Sequence, residues 1–469
     1  MRRGLWGAGF LALLMTAAGC SGSPIEGIST PSVGAEKPAL PVEEPSVAVL
    51  SSEGGAEVDD EDARAIIAQV KSMLVRVARV RGLPILREVP IRILDRPAML
   101  VRIREQVAKD LPPELLANQG EALSAFGIVP PDYDFAAGMF RLIEGQIAGF
   151  YVPDDGTMYL ADDLDEAEAE ETLAHELVHA LQDQSYGLGQ MIKVAEGDGD
   201  RVTAAHALAE GDAMSAMLDV SVGSAFAVSE AALRRLLALS TLMSPVGATT
   251  PRFLTSSLTA PYADGFAFVQ ALRERDDWRA VDAAYRALPV TTEQLLHLDK
   301  LDAREPGILV AVAPLGVLGE GYRAVWNDVM GEQGLRLVLE EWSHRTVAKE
   351  AAAGWGGDRM MVARREGDRR GFAAAWRLVF DTAKDAGEVA KVLRGKFGTA
   401  CVDRPEVGGF AWKSRGREVV VAAGPYERAG RAAKALGGCA VTERWAEAIL
   451  KEGGPKGAAE KKRVLSGER

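Results

Sequence analysis

The chain is poor in histidine, cysteine and aromatic residues, and it carries no surplus of positive charge. Among 469 residues there are 5 histidines and 3 cysteines, and aromatics make up 6%. The formal net charge is −13. An acidic balance of that size excludes general nucleic-acid binding, which needs a basic face. The chain has no internal repeat, heptad run or phosphate-binding glycine loop. No comfortable membrane span is present either: the apolar run from Gly4 to Met15 is too short. The remaining composition is ordinary, at 48% hydrophobic and 26% charged. That excludes global disorder and supports a sizeable core. The length implies more than one domain.

The amino terminus carries an export signature. Met1-Arg2-Arg3 is a charged start, Gly4 to Met15 is mostly apolar, and small residues follow. The ending Ala17-Ala18-Gly19-Cys20 resembles a bacterial lipobox, in which the cysteine becomes the lipidated first residue. Ala17 stands where leucine is usual. The resemblance implies residues 1–20 as a lipoprotein signal and a membrane-anchored envelope protein. Without lipidation the same segment reads as an ordinary secretory signal. Residues 21–60 are rich in Ser, Pro, Gly, Glu and Ala without apolar periodicity, and read as a disordered linker. An oxidising compartment would let Cys401 and Cys439 pair; the alternative is two buried thiols.

The informative histidines are His175 and His179, in His175-Glu176-x-x-His179. Four residues apart on a helix, they project from one face and can bind one Zn²⁺, with Glu176 beside them as general base. Leu173, Leu177, Val178 and Leu181 give the segment the spacing of a buried helix. In a chain this poor in histidine, a chance match should arise on the order of once in a few hundred such sequences.

The flanking pattern is α+β and mainly α. Helices are expected at 61–81, 99–109, 114–127 and 135–146, and a strand at 89–94. A hairpin at 147–151 and 157–160 turns through Pro153-Asp154-Asp155-Gly156 just ahead of the motif. An edge strand beside a metal site can pair with an extended peptide. A long helix, apolar almost throughout, is expected over 202–222, and further helices at 228–243, 261–274, 278–287 and 322–345. Together these make a metal-binding domain over 61–350. Strands at 360–364, 373–380, 410–413 and 419–423, with helices at 383–394 and 427–436, suggest a small α+β domain over 355–445. The charged tail 451–469 is expected to be disordered.

A catalytic zinc needs a third protein ligand and an open position for water. Gln182 and Ser185 stand where one zinc-protease family has Gly and a third His, which excludes that family. Glu210 lies in the apolar helix, where an ionised carboxylate is costly unless paired or metal-bound. His206, on the same face, competes with it, and Asp212 and Asp198 remain open. Two histidines, a distant glutamate and a base within the motif resemble the gluzincin metallopeptidases. The stretches Gln146-Ile-Ala-Gly-Phe-Tyr-Val-Pro153, Glu210-Gly211-Asp212-Ala213, Pro261-Tyr262-Ala-Asp-Gly265, Thr292-Glu293-Gln294-Leu-Leu-His297 and Gly354-Trp-Gly-Gly-Asp-Arg359 resemble a group of exported bacterial proteins that share H-E-L-V-H-A-L-Q-D-Q.

The resemblance implies a zincin-like fold with a buried motif helix and hydrolysis of a peptide or protein substrate. His297 and Tyr262 match the Tyr or His with which gluzincins steady the oxyanion. The competing class is a non-catalytic envelope lipoprotein that keeps zinc as a structural or vestigial site. If Cys20 is lipidated, the mature protein will partition into detergent, and Cys20→Ser will release it or leave the signal uncleaved. Phase partitioning and mass spectrometry of the amino terminus check this. A wholly soluble, unacylated wild type would leave secretion alone.

Overall fold

A computed structural model describes residues 60–110, 113–144, 148–163, 166–193, 197–244, 246–367, 371–405, 407–429 and 432–452. The expected signal segment with Cys20, the expected linker up to residue 59 and the tail beyond 452 lie outside the described residues. The architecture is α+β and mainly helical, with a large sheet toward the carboxyl terminus. Among the described residues no helix is long and apolar enough to cross a membrane.

The first sheet is small. β1 (Ile91–Leu94), β2 (Gly149–Val152) and β3 (Thr157–Ala161) run in the order β1-β3-β2. β1 is parallel to β3, and β2 closes the expected hairpin onto it. The motif helix Glu166–Tyr186 follows directly. A loop then leads to the return helix Gly199–Ser221, most of whose residues are buried. Alanine, glycine and methionine on every side let neighbouring helices approach it closely.

The closest approach is to the long helix Arg252–Arg286. A Cβ on Gly211 would lie 2.0 Å from the Gly265 carbonyl carbon, and one on Gly265 would lie 1.8 Å from the Ala207 carbonyl oxygen. The two backbones touch, and only glycine fits. The long helix merges the two expected at 261–274 and 278–287. It starts earlier, so Pro261 lies inside it rather than at its start. The expected break survives as non-helical geometry at Asp276 and Asp277.

The second sheet has seven strands. β4 (Tyr322–Asp328), β5 (Trp355–Arg365), β6 (Gly371–Phe380), β7 (Val402–Arg404), β8 (Gly408–Arg415) and β9 (Glu418–Ala429) are ordered β4-β5-β6-β9-β8-β7, and β10 (Ala432–Ala435) pairs with β9. All pairings are antiparallel. Two expected helices are corrected here. Residues 322–328 form a strand, because β5 offers a hydrogen-bonding edge that outweighs local propensity. The helix begins only at Gly331 and ends at Trp342. Residues 427–436 continue β9 and return as β10; their alanines favour a helix, but the pairing decides. The last described helix is Gly438–Glu452, and Cys439 sits in its first turn. Cys401 and Cys439 form a disulfide, with Cα atoms 5.6 Å apart.

The sheet unit therefore starts before the expected boundary at residue 355, and it is not insulated. One apolar core joins Leu94, Phe126 and Phe150 to Trp376 and Tyr426 of the sheet. A second core surrounds the motif helix with Leu177, Val178, Leu208 and Phe266. Between the sheet and the helices lie buried carboxylates. Asp358 accepts from the Met330 and Gly331 amides and from the Trp355 and Trp376 indoles, at 2.8–3.0 Å. Asp328 accepts from the Gly199 amide at 2.8 Å, which ties the start of the return helix to the end of β4. Gly211→Ala should cost about 1–3 kcal/mol or more, because backbone must move to admit the methyl. Gly387→Ala, at an exposed position of the helix Ala383–Phe397 with nothing near its Cβ, should instead stabilise by about 1 kcal/mol. Denaturant midpoints of the two variants measure both.

Candidate metal centre

The motif helix and the return helix face one another, and three side chains meet between them. His175, His179 and Glu210 place ligand atoms within 4.8 Å of one another. His175 Nε2 lies 3.1 Å from Glu210 Oε2 and 3.1 Å from His179 Nε2. His179 Nε2 is 3.5 Å from the same Glu210 oxygen. His179 and Glu210 are fully buried, and His175 is 3% exposed.

The hydrogen-bond network assigns the protons. Gln182 donates its amide nitrogen to the Ala209 carbonyl and to Asp212 Oδ2, both at 3.0 Å. Both partners are acceptors, so the Gln182 oxygen must face the other way. It lies 2.8 Å from His179 Nδ1. Nδ1 therefore carries a hydrogen, and in the neutral ring it is the Nε2 lone pair that faces the cluster. That lone pair, His175 and a carboxylate oxygen then converge. Such a meeting needs a positive charge among its members, either a proton or a metal ion.

The electrostatics agree. Burial opposes charging of His179, but the adjacent Glu210 carboxylate outweighs it and raises this histidine to about 9. Burial also opposes ionisation of Glu210. His179, with hydrogen bonds from the three histidines, overrides it and holds Glu210 well below the usual carboxylate range. Burial dominates at His175 and lowers it. Two imidazoles and a carboxylate, buried and mutually oriented, fit a divalent cation.

His206 stands behind Glu210. Its Nε2 donates to the other carboxylate oxygen at 2.8 Å, one helical turn away. Of the two competing residues, Glu210 reaches the histidines and His206 steadies it. Asp212 accepts from Gln182, from Tyr285 at 3.0 Å and from the buried Arg81 at 2.5 Å. Asp198 pairs with Arg201 instead. Glu176 is fully buried and accepts from the Tyr151 amide of β2 at 2.8 Å. Tyr262 flanks the cluster, its ring centroid 6.2 Å from that of His175. His297 is not brought there. It pairs with Glu332 at 2.9 Å and lines a different cavity.

Sequence reasoning missed Gln182, Arg81 and Tyr285. Gln182 was accessible, being one turn beyond His179 on the same face. Arg81 and Tyr285 come from distant helices and left no local signal.

Residues 320–434 match a family model described as a domain of unknown function (DUF8575). The match begins just before β4 and ends within β10, so it covers the sheet unit and not the helices of the cluster. No curated protein and no solved structure matches the chain.

Glu210→Ala should abolish tight metal binding. His206→Ala and Gln182→Leu should each weaken it by about 10–100-fold, because they orient ligands without being ligands. Chelator-competition titration of the purified variants reads all three. Full metal in Glu210→Ala with none in His206→Ala would reverse the assignment.

Proposed function

We propose that the protein is a zinc-dependent peptidase of the bacterial cell envelope, exported and held there by lipid on Cys20. The convergence of His175, His179 and Glu210 carries the metal part of this reading. Two histidines and a carboxylate are a known catalytic zinc set that leaves one position for water. Zinc bound there would supply Lewis acidity, making water a better nucleophile and polarising a carbonyl.

The chain's own residues supply the rest. Glu176 takes the proton of the attacking water and passes it to the leaving amine. Its Oε2 is held by the Tyr151 amide, which fixes the carboxylate against the edge strand β2. Tyr262 is the residue at hand to steady the oxyanion, beside His175. His297, paired with Glu332, has no part in this reading. Gln182 holds His179 in the tautomer that leaves Nε2 free to ligate.

The burial of the cluster favours one other reading: a metal held for structure in an envelope protein that binds others. Glu176 separates the two, since a structural site needs no base. Glu176→Gln should keep its metal and lose hydrolysis by about 100-fold or more. A peptide-library digest of metal-loaded wild type and variant, read by mass spectrometry, checks this. Metal binding without any cleavage would support the structural reading, and unchanged turnover in the variant would sink the mechanism.

A further inference from the structure

The return helix meets the sheet unit at its first two residues, and buried carboxylates line the seam: Asp200, Asp328, Glu332 and Asp358. Gly199 donates its amide to Asp328. Asp200 follows it, with Oδ1 accepting from the Thr292 amide at 3.0 Å and the Thr292 hydroxyl at 2.5 Å. That hydroxyl in turn accepts from the Gln333 amide at 3.1 Å. One carboxyl oxygen thus joins the return helix, the short helix Thr292–Leu296 and the helix Gly331–Trp342. The fit is tight: a Cβ on Gly331, whose φ is +70°, would lie 1.7 Å from that oxygen.

Asp200 is 3% exposed, and its Oδ2 has no hydrogen-bond partner among the described residues. No cation among them pairs with it either. The charges that face it from the neighbouring elements are of its own sign: Asp358 on β5 and Glu332 on the helix Gly331–Trp342. The cations of the seam are engaged elsewhere. His297 pairs with Glu332, Arg336 with Asp264 and Lys300 with Glu293, while Arg359 faces Asp328. An ionised Asp200 would therefore stand without water or counter-charge, held by one threonine. A neutral carboxyl keeps both of its bonds from Thr292.

We propose that Asp200 is a proton-operated latch: with its proton it seats the return helix against Thr292 and Gly331, and loss of the proton as pH rises loosens both contacts. The latch sits at the start of the helix that carries Glu210 further along. Loosening frees that end from the sheet unit, while the Gly211 contact still holds the middle of the helix. The latch needs no metal ion and does not depend on the hydrolytic reading.

The electrostatics support the geometry. Burial, with Asp358 and Glu332 adding to it, outweighs the bonds from Thr292 and lifts Asp200 to about 8. Burial likewise raises Asp328 to about 6 and Glu293 to about 7. A carboxyl raised in this way holds its proton in the folded chain and gives it up in the unfolded one, where it titrates near about 3.9. Its contribution to stability is complete below that value and is lost as pH rises through about 8. Asp264 behaves in the opposite sense: there burial is outweighed by Arg336 and Arg234, which hold it at about 2.

Carbon-13 NMR of the full chain, labelled at the aspartate carboxyl carbons and titrated from about pH 4 to about pH 10, tests it. An aspartate titrating near about pH 8 is expected in wild type and should be missing from Asp200→Asn. Hydrogen exchange read by mass spectrometry, corrected for the intrinsic effect of pH, reports on the seam itself. Protection of residues 199–202 and 331–335 should fall by about tenfold between about pH 6 and about pH 9 in wild type, and stay level in Asp200→Asn. The helix Gly438–Glu452, away from the seam, serves as the control. If Asp200→Asn does not fold, the wild-type titration and exchange decide the matter. The proposal is overturned if no aspartate titrates above about pH 7, if the high resonance survives in Asp200→Asn, or if protection of the two segments does not depend on pH in wild type.

Discussion

A carboxylate in a helix of alanines, with no access to water, has to be neutralised where it stands. Glu210 is that group, and the surroundings of the candidate site follow from the need. One oxygen faces His175 and His179, and the other faces His206. Three imidazoles on two helices thus converge on one side chain. Left unpaired, an ionised carboxylate at this depth would cost far more than a domain's few kcal/mol of net stability. The cluster is therefore an electrostatic requirement of the fold as well as a place for a cation.

Meeting that requirement demands close positional control of two helices. The return helix is seated at two points along its length. At Gly211, next to Glu210, its backbone touches the long helix at Gly265, and this contact fixes how far the carboxylate stands from the motif helix. At Gly199 its first amide is held by Asp328 at the end of β4. The large sheet thus reaches the start of the return helix through Asp328 and through Arg359, which donates to the Gly197 carbonyl at 3.1 Å, although it contributes no ligand. That accounts for a sheet unit with its own family match sitting against helices that the match leaves out.

What was legible in the sequence was local. The histidines, the base and the motif helix could be read because a helix fixes which residues share a face. Glu210 could be read because a carboxylate among alanines and leucines contradicts its surroundings. The two misread helices have the opposite cause. Residues 322–328 and 427–436 have acceptable helical composition, and only an available strand edge makes them extended, which no local pattern records. The family motif placed Tyr262 and His297 together as candidates. In the structure they diverge, because one projects toward His175 and the other is drawn to Glu332 on the helix starting at Gly331.

The deepest element of the site is the one furthest from any motif. Arg81, at the end of the first helix, is fully buried with Asp212 and also contacts Asp282 at 2.8 Å. Its guanidinium lies 4.6 Å over the Trp278 ring. Stability is a weak reason for such a pair, since hydrophobic replacements of buried ion pairs are often neutral or stabilising by about 1–4 kcal/mol. Its value lies in orientation. Arg81 holds Asp212 in place; Asp212 takes the Gln182 amide nitrogen; that turns the Gln182 oxygen to His179; and the neutral His179 ring then presents its Nε2 lone pair to the cluster. The tautomer of one imidazole is thus specified by an arginine about a hundred residues upstream in the chain, through two intervening side chains that are themselves buried.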